Sequence, residues 1–568
     1  MKPISWLCFA LMLFSCASKH EVADLIIKGG KIYTADDAHP MVEAVAVRGD
    51  KILFAGTEQE TEKYKNEQTK VIDLQGKTMT PGFTEGHGHF FGLGLSELNL
   101  NLADTKSYEE LVSKVKEAVA KAKPGEWIVG RGWHQDRWEK KPAKMVKGFQ
   151  THELLSTVSP NNPVFLSHAS GHAAFVNAKA MEIAGVNLLS KEQWQKDLGE
   201  GGEIIRDQLG NPTGIFVEHA QSLIAKHIPS ANEEKILQIF TLATENCLRN
   251  GITSFHDAGI DREELQVLQK LRQENKLSVR LYEMLSGSDR PLVKDFFQQG
   301  IVVDSAHWLT IRSVKLYSDG ALGSRGAWLL QPYSDRPETS GMPLMAMDSV
   351  LAISREALKA GFQVCTHAIG DRANREILNQ YEQAFKEYPS QTTNARFRIE
   401  HAQHIDPQDI PRFGKMGVMA AMQAIHLSSD RPWAIDRLGE KRIKEGAYMW
   451  QSLLKSGAHV VNGTDVPVEP INPIACFFAS VTRQTLQGKP TGGYEPAEKM
   501  TRAQALKSYT LEAAFASFEE NIKGSIEPGK LADFTVFSQD LMTVPDEQIL
   551  STHVEMTIVG GKVLFKKE

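Results

Sequence analysis

Cysteine is scarce in this chain of 568 residues: there are five, Cys8, Cys16, Cys247, Cys365 and Cys476, without framework spacing. That excludes a disulfide-built scaffold and leaves no bridge required. No block of lysine or arginine stands out, and the formal net charge is -6, so nothing marks a nucleic-acid partner. Internal repeats and low-complexity tracts are missing too, which removes solenoids and disordered linkers. No apolar run reaches the ~20 residues that a bilayer-spanning helix needs. What remains is 42% hydrophobic and 24% charged, the profile of a soluble globular enzyme with a large core.

The N-terminus differs from the rest. Lys2 precedes an apolar stretch from Ile4 to Phe14, short enough for a signal peptide over residues 1–15. Leu13-Phe14-Ser15-Cys16 resembles a bacterial lipobox, so lipidation of Cys16 is expected, with residues 16–22 as a linker. The protein would then be exported and lipid-anchored in a bacterial cell envelope. An ordinary secretory signal, giving a periplasmic or secreted protein, is the alternative.

Residues 23–79 read as short alternating strands broken by Gly-Gly, Gly-Asp and Gly-Lys turn signals. The same pattern returns over 521–568, in GSIEPGKLADFTVFS and HVEMTIVGGKVLF, so both chain ends are expected to build one small β-sandwich. Between them, over 80–520, strand-like runs alternate with amphipathic helical stretches. The runs are TPGFTEGHGHF, GITSFHDAG, LSVRLYEML, RSVKLYSDGAL, GFQVCTHAIGD, RFRIEHAQH, GVMAAMQAIHL and AHVVNGTDVPV. Polar residues gather at the C-terminal ends of most of them, where a (β/α)8 barrel keeps its active site. The expected fold is therefore α/β, a TIM-like barrel. The interval between the first two runs far exceeds a normal βα connection and implies an inserted subdomain at about 95–250.

The chemistry concentrates at the strand ends. His87 and His89 sit two residues apart, so strand alternation turns both imidazoles to one face, where they could hold a divalent metal. His367, His401 and Asp465 close later runs, completing a donor set that zinc favours. Lys315 in VKLYSDGALGS is the odd member, because an ammonium beside metal cations is repelled. Carboxylation by CO2 would turn it into an anionic, bridging carbamate; a plain amine or a solvated side chain is the alternative.

TPGFTEGHGHF, VKLYSDGALGS, THAIGDRAN, RIEHAQ and NGTDVPVEPINP resemble the successive motifs of the amidohydrolase superfamily, in the amidohydrolase 3 branch that includes N-substituted formamide deformylases. The resemblance runs from about Ala23 to the C-terminus. It implies His87, His89 and Asp465 on one metal, His367 and His401 on a second, and carboxylated Lys315 between them, with one metal as the simpler variant. A metal-bound hydroxide would attack and Asp465 would shuttle the proton. Glu85 stands where many members carry aspartate and is expected to support the metal residues from behind. Trp133, Gln135, His172 and Asn177 resemble pocket-lining insertion motifs. Gln423 and His426 are placed by their strand end to contact substrate, and Asp371 to cap a helix.

These readings predict hydrolysis of a carbon–nitrogen bond other than a peptide bond, in an amide, formamide or cyclic amide. Esters, lactones or phosphoesters on the same centre are the enzymatic alternative, and a non-catalytic lipid-anchored binding protein is the other. The expected partner is a small molecule. Oligomeric state and the particular substrate stay open.

Overall fold

A computed structural model describes residues 21–186, 201–229 and 232–568. The expected signal peptide and Cys16 lie outside the described residues. All eight internal runs become strands of one parallel sheet in chain order: β1 (Phe83–Gly88), β2 (Ile252–Ile260), β3 (Arg280–Ser286), β4 (Leu309–Tyr317), β5 (Gln363–Ala368), β6 (Arg398–His401), β7 (Met419–Met422) and β8 (Val460–Asn462). Their interiors are buried on both faces, which explains why they read as apolar runs. The ring closes just past the strand ends, where the Asp465 N–H donates to the His87 carbonyl at 2.8 Å and the His89 N–H to that of Val466 at 2.7 Å.

The covering helices follow from local chemistry. After β2, the Asp261 carboxylate accepts from the Glu264 N–H and the Glu264 side chain returns to the Asp261 N–H, a reciprocal cap that starts helix Arg262–Gln273. Leu265, Leu268 and Leu271 recur at helical spacing and face the barrel. Asp371, placed beside helix Asp371–Glu387, accepts the Leu330 N–H at 2.8 Å and so fastens the β4 loop; Gly370 occupies the cap position.

Between β1 and β2 stands a mixed six-stranded sheet with its own core of Leu111, Val115, Trp133, Leu166, Phe175 and Ile215. Helix Glu233–Arg249 then returns the chain to the barrel, with Phe240 against Phe90. The two chain ends join in one further sheet: Phe534–Phe537 pairs antiparallel with Thr78–Pro81, and Ile27, Val45, Met79, Val536 and Ile558 share a core. Asp533 fixes this unit to the barrel by a buried two-bond pair with Arg280, at 2.7 and 3.0 Å. Cys247, Cys365 and Cys476 are buried free thiols, and among the described residues no helix is long and apolar enough to cross a membrane.

Candidate metal centre

The barrel brings His87, His401 and Asp465 together from β1, β6 and the turn after β8, with one donor atom of each within 4.8 Å of the others. Asp465 Oδ1 lies 3.5 Å from His87 Nε2 and 3.2 Å from His89 Nε2. The His367 and His401 ring centroids are 4.5 Å apart, and Lys315 Nζ stands 3.3 Å from His87 Nε2. His367 lies outside the tight trio, with its Nε2 3.5 Å from Asp319 Oδ1. All six residues expected from the sequence thus surround the same end of the barrel.

Backbone strain holds part of this arrangement. His401 has φ 71° and Asp465 has φ 58°, left-handed values that cost a non-glycine residue about 1–3 kcal/mol. Glu85 offsets the second: its carboxylate accepts the Thr464 N–H at 2.6 Å, the Thr464 hydroxyl at 2.9 Å and the His87 N–H at 3.3 Å, tying β1 to the Asp465 turn. Burial pushes the Glu85 carboxyl up to about 8, against the pull of the Thr464 bonds.

Two of the imidazoles, those of His87 and His401, are aimed by a partner on the far nitrogen. His87 Nδ1 meets Glu400, which Arg398 grips at 2.7 and 2.9 Å. Burial would raise the Glu400 carboxyl, but Arg398 and His87 together hold it far below the usual carboxylate range. His401 Nδ1 donates to Gln423 Oε1 at 2.7 Å, so Gln423 orients a site histidine. Burial, helped by Lys315, drives His87 down to about 4, and burial also puts His367 and His401 well below the ordinary value. Neutral imidazoles offer the lone pairs that a metal requires. Among the described residues Asp465 Oδ1 and His367 Nε2 are buried and make no well-aligned hydrogen bond, their nearest partners being His89 Nε2 at 3.2 Å and Asp319 Oδ1 at 3.5 Å. Such desolvated acceptors are costly alone and suit a bound cation.

A cavity opens above this cluster. The barrel contributes His367, Ile369, His401, Asp465, Val468 and Glu469; the loop after β4 adds Leu322 and Gly323; the helix after β7 adds His426, Asp430 and Trp433. The inserted sheet roofs it with His134, Arg137 and His172. His172 is held by its Nδ1 on Glu218 Oε2 at 2.7 Å. Trp133 and Gln135 do not line the cavity. Trp133 is packed in the inserted core, its indole N–H on the Leu166 carbonyl at 2.8 Å, and Gln135 is buried beside Asp136. Asn177 caps helix Ala178–Ile183 through the Ala180 N–H.

Glu400, Arg398, Asp319 and Glu218 are site residues that the motif reading did not single out. Asp319 accepts the N–H groups of Trp328, Ile369 and Gly370 at 2.8–3.0 Å, and burial raises its carboxyl to about 7 despite those bonds. The available signal was Arg398-Ile399-Glu400-His401 itself, in which two opposite charges two apart on an internal strand must neutralise each other.

An eight-stranded barrel with imidazoles, a carboxylate and a lysine at one end of its strands defines the class of metal-dependent hydrolases. The chain belongs to the amidohydrolase family, whose model matches residues 70–565. It is similar to protein LONG AFTER FAR-RED 3 of Arabidopsis thaliana, 32% identical over 96% of this chain and 92% of that one. It is 25% identical to the N-substituted formamide deformylase of Arthrobacter pascens, over 96% and 99% of the two chains. Among solved structures, an uncharacterized metal-dependent hydrolase from Pyrococcus horikoshii superposes with a TM-score of 0.72 at 28% identity, covering 92% of this chain and 99% of that one.

Proposed function

We propose that this hydrolase cleaves the carbon–nitrogen bond of a small non-peptide amide, formamide or cyclic amide. The carrying observation is the buried trio of His87, His401 and Asp465, two neutral imidazoles and a carboxylate, of which His401 and Asp465 line a cavity. Divalent metal, two zinc ions in the fuller reading, would be held by His87, His89, His367, His401 and Asp465, and would polarise a carbonyl and acidify water. Glu400 and Gln423 keep the Nε2 atoms of His87 and His401 turned inward. Asp465 Oδ1 takes the proton of the attacking water and delivers it to the leaving nitrogen. Lys315 acts as a carbamate: its neutral amine forms an N–C bond to CO2 and releases one proton to solvent. Similarity to the formamide deformylase along nearly the whole chain supports the choice of bond.

The test is amine release from N-alkylformamides, N-acyl amines and cyclic amides, run beside the matching esters and lactones. Amine release is expected, abolished by dialysis against a chelator and restored by Zn2+. Turnover of esters alone by fully loaded protein defeats the carbon–nitrogen reading, and no turnover of either favours a binding protein.

We propose further that Cys16 anchors the protein, on the strength of Leu13-Phe14-Ser15-Cys16 at the end of a short apolar run. Membrane fractionation should recover an acylated mature N-terminus at Cys16, and Cys16→Ser should abolish that processing. A soluble, unacylated product starting elsewhere would overturn the anchor.

A further inference from the structure

The chain enters the described body at one particular face. Glu21 meets Arg48 at 3.3 Å, and the Ala23 N–H donates to the Tyr64 carbonyl and the Asp24 N–H to that of Val47, both at 2.8 Å. The backbone is fixed from Ala23 onward. Ala23 stands seven residues after Cys16, a leash of at most ~25 Å in any conformation. A globular chain of this length is roughly 60 Å across. An acylated Cys16 would therefore hold a bilayer to the side on which Ala23 enters the fold, out of reach of the far side.

That side carries an open edge of the terminal sheet. Strand Lys562–Lys566 pairs with Val554–Val559 and ends the sheet. It forms a ridge between two grooves, and strand alternation sends Val563 into one and Leu564 into the other. Both side chains are more than a third exposed, as are Val71 on strand Lys70–Asp73, across the first groove, and Val22 at the chain entry. Asp24 borders both grooves, so the leash starts beside the ridge. An edge strand with bare aliphatic side chains on both faces calls for a cover.

Charge indicates what covers it. Lys70, Lys562 and Lys566 rim the first groove, and among the described residues none of the three has an ion-pair partner. The acids there are already engaged: Asp24 accepts the Gly49 N–H at 2.6 Å, Asp73 the Gln75 N–H at 2.8 Å, and Glu555 pairs with His553 at 2.7 Å and Lys77 at 3.6 Å. The second groove adds Asp50 and Arg272, the latter paired with Asp304. Free ammonium groups on flexible stems beside exposed aliphatic residues suit a lipid surface with anionic headgroups.

The grooves also fix a direction. Leu277 and Ser278, just before β3, and Trp308, just before β4, line the second groove, which places it at the N-terminal end of the barrel. The metal centre lies at the other end. We propose that the face around strand Lys562–Lys566 rests on an anionic lipid bilayer, so that the cavity over the metal centre opens away from the membrane toward dissolved substrate. This rests on the Cys16 anchor proposed above.

The test uses the full-length acylated protein, purified from membranes and reconstituted into vesicles of phosphatidylethanolamine and phosphatidylglycerol. Cys247, Cys365 and Cys476 are buried, so one cysteine added at the surface takes a fluorescent label alone. Val71→Cys, Val563→Cys and Leu564→Cys sample the proposed face, and Leu209→Cys, 87% exposed on the inserted sheet that roofs the cavity, samples the opposite side. Nitroxide on the lipid headgroups should remove about half or more of the emission of the three face labels and leave the Leu209→Cys label unchanged. Lys70→Glu, Lys562→Glu and Lys566→Glu combined should keep the protein in the membrane fraction and its metal content intact, while quenching at the face falls. Salt at about 1 M, which screens charges beyond about 3 Å, should have the same effect on the unreversed lysines. Quenching at Leu209→Cys with bright face labels, or equal quenching at all four positions, overturns the orientation. Face quenching that is as strong on phosphatidylcholine vesicles and indifferent to lysine reversal overturns the anionic surface. An unacylated mature N-terminus, read by mass beforehand, would instead remove the anchor and this orientation with it.

Discussion

His401→Ala and His87→Ala should each lower turnover by about three orders of magnitude or more, with metal content falling in parallel. Both imidazoles are buried, both are driven neutral by that burial, and both are turned inward by a partner on Nδ1. Removing either takes one donor out of the trio with Asp465, whose donor atoms lie within 4.8 Å of one another. Truncating an orienting group should cost less: Gln423→Ala frees the His401 ring without removing it, and about 10–100-fold is expected. Far-ultraviolet circular dichroism should stay close to wild type in all three, because the barrel strands pair through backbone bonds that these side chains do not make. Metal analysis and steady-state rates decide the matter. Near-normal turnover of His401→Ala or His87→Ala removes that residue from the centre.

The order of those effects mirrors what the sequence could reveal. Strand positions were legible because each barrel strand is buried on both faces and must be apolar, while function gathers at one end. His87-Gly88-His89 announced itself because strand alternation converts a spacing of two into a shared face. Glu400 did not, because its partner is His87, on a strand far away in the chain. Its role follows only once β1 and β6 face each other across the barrel.

The aromatic stretch of the insertion shows a different kind of obstacle. Trp133 and Gln135 were expected at the pocket, yet His134 and Arg137 line it. The register of strand Ile128–Trp133 slips between Arg131 and Trp133, where Gly132 takes φ 104°. A bulge of this kind re-aims the side chains that follow it, a local detail that the motif resemblance behind the expectation for Trp133 and Gln135 does not carry. Gly132 could have signalled the bulge, but an isolated glycine in a strand does not by itself say which residues turn inward.

Lys315→Ala should nearly eliminate activity and lower metal occupancy, and it separates the two-metal mechanism from the simpler one. The side chain is 1% exposed at the end of β4, with Nζ 3.3 Å from His87 Nε2 and 4.9 Å from the Tyr317 ring centroid. Burial lowers its pKa, and the neutral amine is the form that adds to CO2. An ammonium at this place would repel cations held by the neighbouring imidazoles, whereas a carbamate brings a negative charge with two donor oxygens. Because the group that the proposed carbamate would lose in Lys315→Ala is a carboxylate on an arm, acetate or propionate should restore part of its rate in a concentration-dependent way. Bicarbonate should likewise speed the return of activity when metal is added to metal-free wild type. Intact-protein mass measured under native conditions should show one added CO2, 44 Da by composition, that is lost on acidification, as carbamates are. A fully loaded, fully active protein with unmodified Lys315 would refute the bridging role. The chemistry would then rest on a single metal, with Asp465 still moving the proton and the pair His367 and His401 divided between that metal and the substrate.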